Sequence, residues 1–455
     1  MHTFLKKALI IITVCSIVSL VPAQTSNIGK PNILVLYVDD MGYLPEFTGC
    51  KLMHTPHMDA LAAGGMVFSD GYVSAPICAP SRVGLITGRY QARTGHDSNA
   101  KRPGCELLLT ETTMAQRMKS LGYRTGMVGK WHLGMTDQRF FPLQRGFDYF
   151  IGHEGNVNEG ADKYFRGNEK IGEIQDHPVT SPLWADEACA FLERNQNDPF
   201  FLYVAFNAVH APHAARKETL AEFSEVKSKS LRNYMAMTRE VDDATGKIME
   251  KLGELKLAEK TLVFFISDNG KAFSHPDAYG DDGLRGRKWY VFEGGIRVPF
   301  VISWKGKISA GSTSSEPVIQ LDVLPTAIAA AGGMVDPAWN LDGINLLPFV
   351  TGKQQKFDRT TLYWRFGAQY AIREGQWKLV KALAAQERPY LIDLSADIGE
   401  QNDLTEEHPE LVIKLQRKWD TWNAQMQAPR WEDKRWFRTE EGPVKPENIK
   451  RDEQQ

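Results

Sequence analysis

The sequence predicts an α/β fold: a large central, mostly parallel sheet flanked by helices, followed by a small antiparallel sheet with one covering helix. Three observations carry that expectation. Continuous apolar runs recur at residues 32–38, 124–129, 200–206 and 261–267, and such runs suit central strands covered on both faces. Helical patterns fall between them, and strands alternating with helices imply α/β layers. After about residue 355 the texture becomes short strands at 361–365, 369–373, 377–380 and 390–394, then a helix over 408–425.

Taken in order, residues 1–23 read as a secretory signal. His2, Lys6 and Lys7 form its basic start, 8–20 its apolar core, and Val21-Pro22-Ala23 its cleavage site. The apolar run is shorter than the ~20 residues of a spanning helix. Export to the periplasm or the extracellular space, with no stable membrane anchor, is therefore expected. The first strand ends at Asp39-Asp40-Met41-Gly42, and a Thr-Pro start opens a helix over 55–64. A helix over 112–121 stops at Gly122, and the second strand ends at Lys130-Trp131-His132. The third runs into Asn207-Ala208-Val209-His210. After a helix over 230–252, the fourth ends at Asp268-Asn269-Gly270. A strand over 300–304 and a helix over 321–331 complete a domain expected to span 24–355, with 356–455 as a C-terminal subdomain. In open α/β sheets ligands sit beyond the carboxyl ends of the strands. The four polar loops should therefore meet at one site.

A 42% hydrophobic fraction supports a large core, and a net charge of −2 argues against a general nucleic-acid binder. With Cys15 removed in the signal, Cys50, Cys78, Cys105 and Cys189 remain, which excludes a disulfide-dense scaffold. Asp39, Asp40, Asp268 and Asn269 offer hard oxygen ligands from two strand ends. Such ligation suits Ca²⁺, or Mg²⁺ as second choice, and not zinc.

Ile77-Cys78-Ala79-Pro80-Ser81-Arg82-Val83-Gly84-Leu85-Ile86-Thr87-Gly88-Arg89 resembles the signature of formylglycine-dependent (type I) sulfatases of the alkaline phosphatase superfamily. Gly129-Lys130-Trp131-His132-Leu133-Gly134 resembles a second sulfatase signature. The stretch Leu284 to Pro299, with Lys288 and Glu293-Gly294-Gly295, resembles a third. The likeness spans roughly residues 30–405 and implies an alkaline-phosphatase-like fold. It implies that Cys78 is oxidised to formylglycine by a formylglycine-generating or anaerobic sulfatase-maturating enzyme. At most one disulfide then forms among Cys50, Cys105 and Cys189. It also implies a metal held by Asp39, Asp40, Asp268, Asn269 and the modified residue 78.

The resemblance gives each catalytic residue a role. The hydrated aldehyde attacks sulfur, aided by Arg82; Lys130 and Lys288 bind sulfate oxygens; His210 protonates the leaving sugar oxygen; His132 deprotonates the second hydroxyl, which expels sulfate. His213 either contacts substrate or closes its turn. Three readings stay open: a sulfatase acting on a sulfated glycan, a formylglycine-dependent phosphonate monoester or phosphodiester hydrolase, and a silent glycan-binding protein whose Cys78 stays a thiol. The loops at 71–73, 95–99 and 152–166 either shape a sugar pocket or are ordinary surface. Trp419, Trp422, Trp431 and Trp436 are expected to pack the C-terminal tail, with sugar stacking as the alternative.

Overall fold

The computed structural model describes residues 29–431, except 44, 100–103, 157–162, 175–178, 212, 273–282 and 384–385. The leader at 1–23, Asn158, Pro212 and Trp436 lie outside the described residues.

The chain opens with β1 (Asn32–Val38), α1 (Pro56–Ala63), β2 (Met66–Phe68), β3 (Gly71–Tyr72) and α2 (Cys78–Thr87). It continues through α3 (Met114–Ser120), β4 (Arg124–Lys130), β5 (Tyr149–His153), β6 (Lys163–Arg166) and β7 (Glu169–Glu173). Next come α4 (Ser181–Arg194), β8 (Phe200–Phe206), α5 (Lys217–Glu222), α6 (Lys229–Glu254) and β9 (Thr261–Ser267). Then follow α7 (Glu293–Ile296), β10 (Phe300–Ser303), β11 (Ser312–Ser314), β12 (Val318–Ile319), α8 (Val323–Ala330) and α9 (Leu347–Val350). The last elements are β13 (Thr361–Phe366), β14 (Gln369–Glu374), β15 (Trp377–Lys381), β16 (Tyr390–Asp393) and α10 (Pro409–Asn423).

The large sheet has the order β11-β2-β10-β9-β1-β8-β4-β5-β6-β7 among the described residues. Its centre is parallel from β9 to β5, while β10 and β6 run antiparallel to their neighbours. The expected α/β architecture is thus present. In β1 every residue is buried, as continuous apolar strands covered on both faces require. Each large aliphatic side chain there contributes about 1.5–3 kcal/mol on burial. Local signals set the helix starts: Pro56 occupies the first turn of α1, Thr113 and Gln116 form a capping box on α3, and the Ser228 hydroxyl caps α6.

Strands β13 to β16 form the expected antiparallel sheet, with α10 packed on it. Trp422 stacks on Tyr363 at 5.1 Å, and Trp419 lies 4.4 Å from Tyr370. Trp431 packs edge-on against His96 and donates to the Ser98 hydroxyl at 3.2 Å. These three tryptophans pack the tail, as expected. A buried ion cluster ties this sheet to the main body. Lys378 of β15 bridges Glu293 and Glu400 at 2.8 Å each, and the Glu293 N–H donates to Glu400. Cys50, Cys78, Cys105 and Cys189 are all free thiols. No described helix is long and apolar enough to cross a membrane.

Candidate active site

Four adjacent strands of the sheet, β9, β1, β8 and β4, end side by side. Their ends are stitched by backbone hydrogen bonds: Asp39 N–H to Ala208 O at 3.1 Å, Val209 N–H to Asp39 O at 2.8 Å, and Asp268 N–H to Val38 O at 2.8 Å. Asp40 takes a left-handed backbone (φ +60°) and donates its N–H to Asp268 Oδ1 at 3.1 Å. That turn aims the two consecutive carboxylates that follow β1 at a common point.

Cys78 is the first residue of α2, and it is fully buried. The residue preceding it, Ile77, supplies no side-chain cap. The Ala79 N–H instead finds Asn99 Oδ1 at 2.9 Å. The positive end of the α2 dipole thus points into the site. Cys78 Sγ lies 3.3 Å from Asp39 Oδ1 and 3.9 Å from Asp40 Oδ1.

Three buried cations face these carboxylates. Lys130 Nζ donates to Asp39 Oδ2 and, at 2.6 Å, to Asn156 Oδ1. Arg82 donates twice to Asp268 Oδ2, at 2.8 and 3.1 Å, and once to Lys130 O at 3.0 Å. Lys288 Nζ holds both Asp40 oxygens at 2.7 and 2.8 Å. His210 Nε2 stands 3.6 Å from Asp40 Oδ2, with its Nδ1 at 2.6 Å from Ala211 O. His132 lies two residues past Lys130, buried and left-handed (φ +58°), its N–H donating to Glu154 O. His213 packs against Tyr234, 5.9 Å between ring centres.

Electrostatics divide the two outer aspartates. Burial alone would raise the Asp39 carboxyl, but Lys130, His210, Arg82 and Lys288 hold it well below the usual range. Burial and the Asp39 charge push Asp268 up to about 7. The Cys78 thiol is pushed well up by burial and by Asp39. An unmodified thiol here is protonated and a poor nucleophile. Burial, then Lys288, lowers the His210 imidazole, and burial, then His210, takes His213 down to about 4.

The donor set fits a hard divalent cation. The carboxylates of Asp39, Asp40 and Asp268 and the Cys78 Sγ lie within 4.8 Å of one another. Asn269 Oδ1 is buried there with no hydrogen-bond partner among the described residues, while its amide nitrogen donates to Asp40 Oδ1 at 2.7 Å. An orphaned carbonyl oxygen beside three carboxylates is the environment an oxygen-liganded ion completes.

The family model for sulfatases matches residues 31–334. This chain belongs to the sulfatase family, among the type I enzymes of the alkaline phosphatase superfamily. A second family model, for the C-terminal part of N-sulphoglucosamine sulphohydrolase, matches residues 281–425. The sulfatase is 36% identical to N-acetylgalactosamine-6-sulfatase of Homo sapiens over 380 residues, 76% of this chain and 71% of that protein. It is 32% identical to arylsulfatase A of Bos taurus over 441 residues, covering 84% and 85% of the two chains. The crystal structure of Ps i-CgsB in complex with k-i-k-neocarrahexaose superposes with a TM-score of 0.81 at 31% identity, covering 88% of this chain and 94% of that one. The sulfatase is accordingly a sulfuric ester hydrolase.

Several supporting residues escape a reading of the sequence. Tyr203 OH, from inside β8, accepts from Arg82 Nη1 at 3.5 Å. Gln320 donates to Ser81 O at 2.7 Å and accepts from Tyr37 OH at 2.5 Å, anchoring α2 to β1. Asn156 and Asn99 fall in two of the loops expected either to shape a sugar pocket or to be ordinary surface, and they instead bond Lys130 and the Ala79 N–H. The serine of the Cys-x-Pro-Ser-Arg pattern was the available signal, because a buried hydroxyl needs a partner.

Proposed function

We propose that this sulfatase is exported and hydrolyses sulfate esters of a sulfated glycan, using Cys78 as formylglycine and a divalent cation, Ca²⁺ ahead of Mg²⁺. One observation carries the reading. Cys78 opens α2 against Asp39 and Asp40, with Lys130, Lys288 and Arg82 among the same carboxylates. The substrate class is supported by the sugar names that the relatives carry, an N-acetylgalactosamine-6-sulfatase and a structure in complex with k-i-k-neocarrahexaose. Its maturation partner is a formylglycine-generating or anaerobic sulfatase-maturating enzyme.

Formylglycine supplies a hydrated aldehyde, one hydroxyl of which attacks sulfur while the other later collapses to the carbonyl and releases sulfate. Asp39, Asp40, Asp268, Asn269 and residue 78 would hold the cation, which supplies positive charge that acidifies the attacking hydroxyl and offsets sulfate charge. Lys130 and Lys288 bind the sulfate oxygens in a water-excluded site, where fixed charge is most effective. Arg82 fixes Asp268 and so orders the donor set. His210 delivers a proton to the departing sugar oxygen, and His132 accepts one from the second hydroxyl.

The test pairs chemistry with rates. Peptide mass measurement of purified, active protein should find the aldehyde at Cys78, and Cys78→Ala should abolish turnover while keeping the fold. Sulfate release by the alanine variant would sink the reading. Faster turnover of aryl phosphonates than of aryl sulfates would redirect it to a phosphonate hydrolase. An unmodified thiol in a protein that binds glycans without turnover would leave a binding protein.

A further inference from the structure

Trp289 follows Lys288, and nothing in the mechanism uses it. It is half-buried and has a left-handed backbone (φ +75°), which a bulky residue rarely adopts. Its conformation is held from two sides. The Trp289 N–H donates to Pro76 O at 2.8 Å, two residues before Cys78. Its carbonyl accepts from Gln369 Nε2 at 2.9 Å, and Gln369 Oε1 accepts from the Val291 N–H at 3.2 Å. Backbone strain that the surroundings over-determine in this way clusters at ligand clamps.

The indole sits against the reaction centre. Its ring centre is 5.4 Å from Lys288 Nζ, the ammonium that holds Asp40, and 6.0 Å from the Arg287 guanidinium. One flat aromatic wall is therefore flanked by an inner and an outer cation. A pyranose ring has an apolar C–H face that complements the negative face of indole, and its sulfate groups seek cations.

We propose that Trp289 is the stacking wall of the sugar subsite, seating the ring that carries the scissile sulfate, with Arg287 serving a second anionic group of the same glycan. This rests on the glycan-sulfatase reading above. It makes Trp289 a specificity-determining residue and leaves the sulfate-binding role to Lys130 and Lys288.

The experiment uses the full chain and three proteins: wild type, Trp289→Gly and Trp289→Phe. Glycine accepts the left-handed backbone without strain, so the first variant removes the ring and keeps the turn. The probes are a sulfated disaccharide turned over by the wild type, and inorganic sulfate as a competitive inhibitor. Trp289→Gly should raise KM for the disaccharide about tenfold or more. It should keep the inhibition constant for sulfate within about twofold; because the indole also packs against the edge of the main core, a modest fall in melting temperature accompanies the KM effect. Trp289→Phe should recover part of the loss. An unchanged KM in Trp289→Gly overturns the inference. So does a parallel rise in the sulfate inhibition constant, which would mean a displaced Lys288, and so does a lower melting temperature with KM intact, which would mean packing alone. A wild type that releases sulfate from no sulfated sugar overturns the parent reading, and this inference with it. That failure shows in the wild type, whereas failure of the stacking role shows only in the variants.

Discussion

The cation affinity of the cation-free protein should fall steeply in acid, with a slope set by one proton. Asp268 is the cause: burial first, and the Asp39 charge second, push its carboxyl up to about 7. Below that pH it carries a proton that an incoming cation must displace. Asp39 adds no second proton, because Lys130 first, with His210, Arg82 and Lys288, holds it well below the usual carboxylate range against its burial. Well below pH 7 each further pH unit then weakens binding by about 1.4 kcal/mol. From about pH 7, where half the carboxyl is already protonated, to pH 5 the affinity should drop roughly 50-fold, near 2.3 kcal/mol. The sign for folding is fixed by the same shift. A carboxyl with a raised folded pKa stabilises the cation-free protein below its unfolded value, and that contribution is lost as pH rises through about 7. The assay is calorimetric Ca²⁺ titration of chelator-stripped protein across this range, with proton release read from two buffers of different ionisation enthalpy. Asp268→Asn should bind weakly with no such slope. A flat affinity over this range, or release of two protons, would refute the argument.

Lys130→Met and Lys288→Met should each lower kcat on an aryl sulfate by about 100- to 1,000-fold, and losses under about tenfold would remove them from sulfate binding. His210→Ala should cost about 100-fold or more on a sugar sulfate but far less on nitrophenyl sulfate, whose leaving group needs no proton; equal losses would reject the proton-donor role. Arg365 holds the buried Asp97 at 2.8 and 3.1 Å, so Arg365→Leu should destabilise by about 3–5 kcal/mol. Burial already raises Asp97, so that loss, read by melting, should shrink in acid where the orphaned carboxyl is neutral; a pH-independent loss contradicts this. In Gly84→Ala the new Cβ would stand 2.3 Å from Ser74 Oγ, with Gln320 and Leu321 side chains at 3.1 Å, so either these side chains or α2 must shift. A stability loss of about 1–3 kcal/mol with reduced kcat is expected, and unchanged kinetics would show that α2 has slack.

The strands and their loops were legible because their signals are local. Residues 32–38, 200–206 and 261–267 are apolar apart from Asn32, Thr261 and Ser267 at their ends, and the structure starts and stops β1, β8 and β9 at the same residues. The Asp39-Asp40 and Asp268-Asn269 pairs follow β1 and β9 directly. What was not legible depends on distant pairing. Strand β10 runs antiparallel to β9, which no apolar run announces. Strand β5, with Gly152 near its end, is too short to stand out, and α4 went unread beside the stronger helices. The expected helix at 321–331 begins as a tighter 3-10 turn over Gln320–Asp322. Gln320 meets Ser81 across 239 positions, and Tyr203 meets Arg82 across 121; neither has a local pattern to read.

The burial of Cys78 has a consequence in time. One part of the wall around it is the last of the described chain to be made: Ala79 bonds Asn99, and the tail packs on the adjoining Ser98 and His96 through Trp431, across 333 positions, and Arg430, across 334. At ~5–20 residues per second, roughly 15–70 s separate synthesis of the cysteine from synthesis of that tail. In that interval these contacts cannot form, whereas in the finished fold the thiol is fully buried. Any enzyme that alters this residue is therefore racing translation and folding, and the order of the gene sets its opportunity.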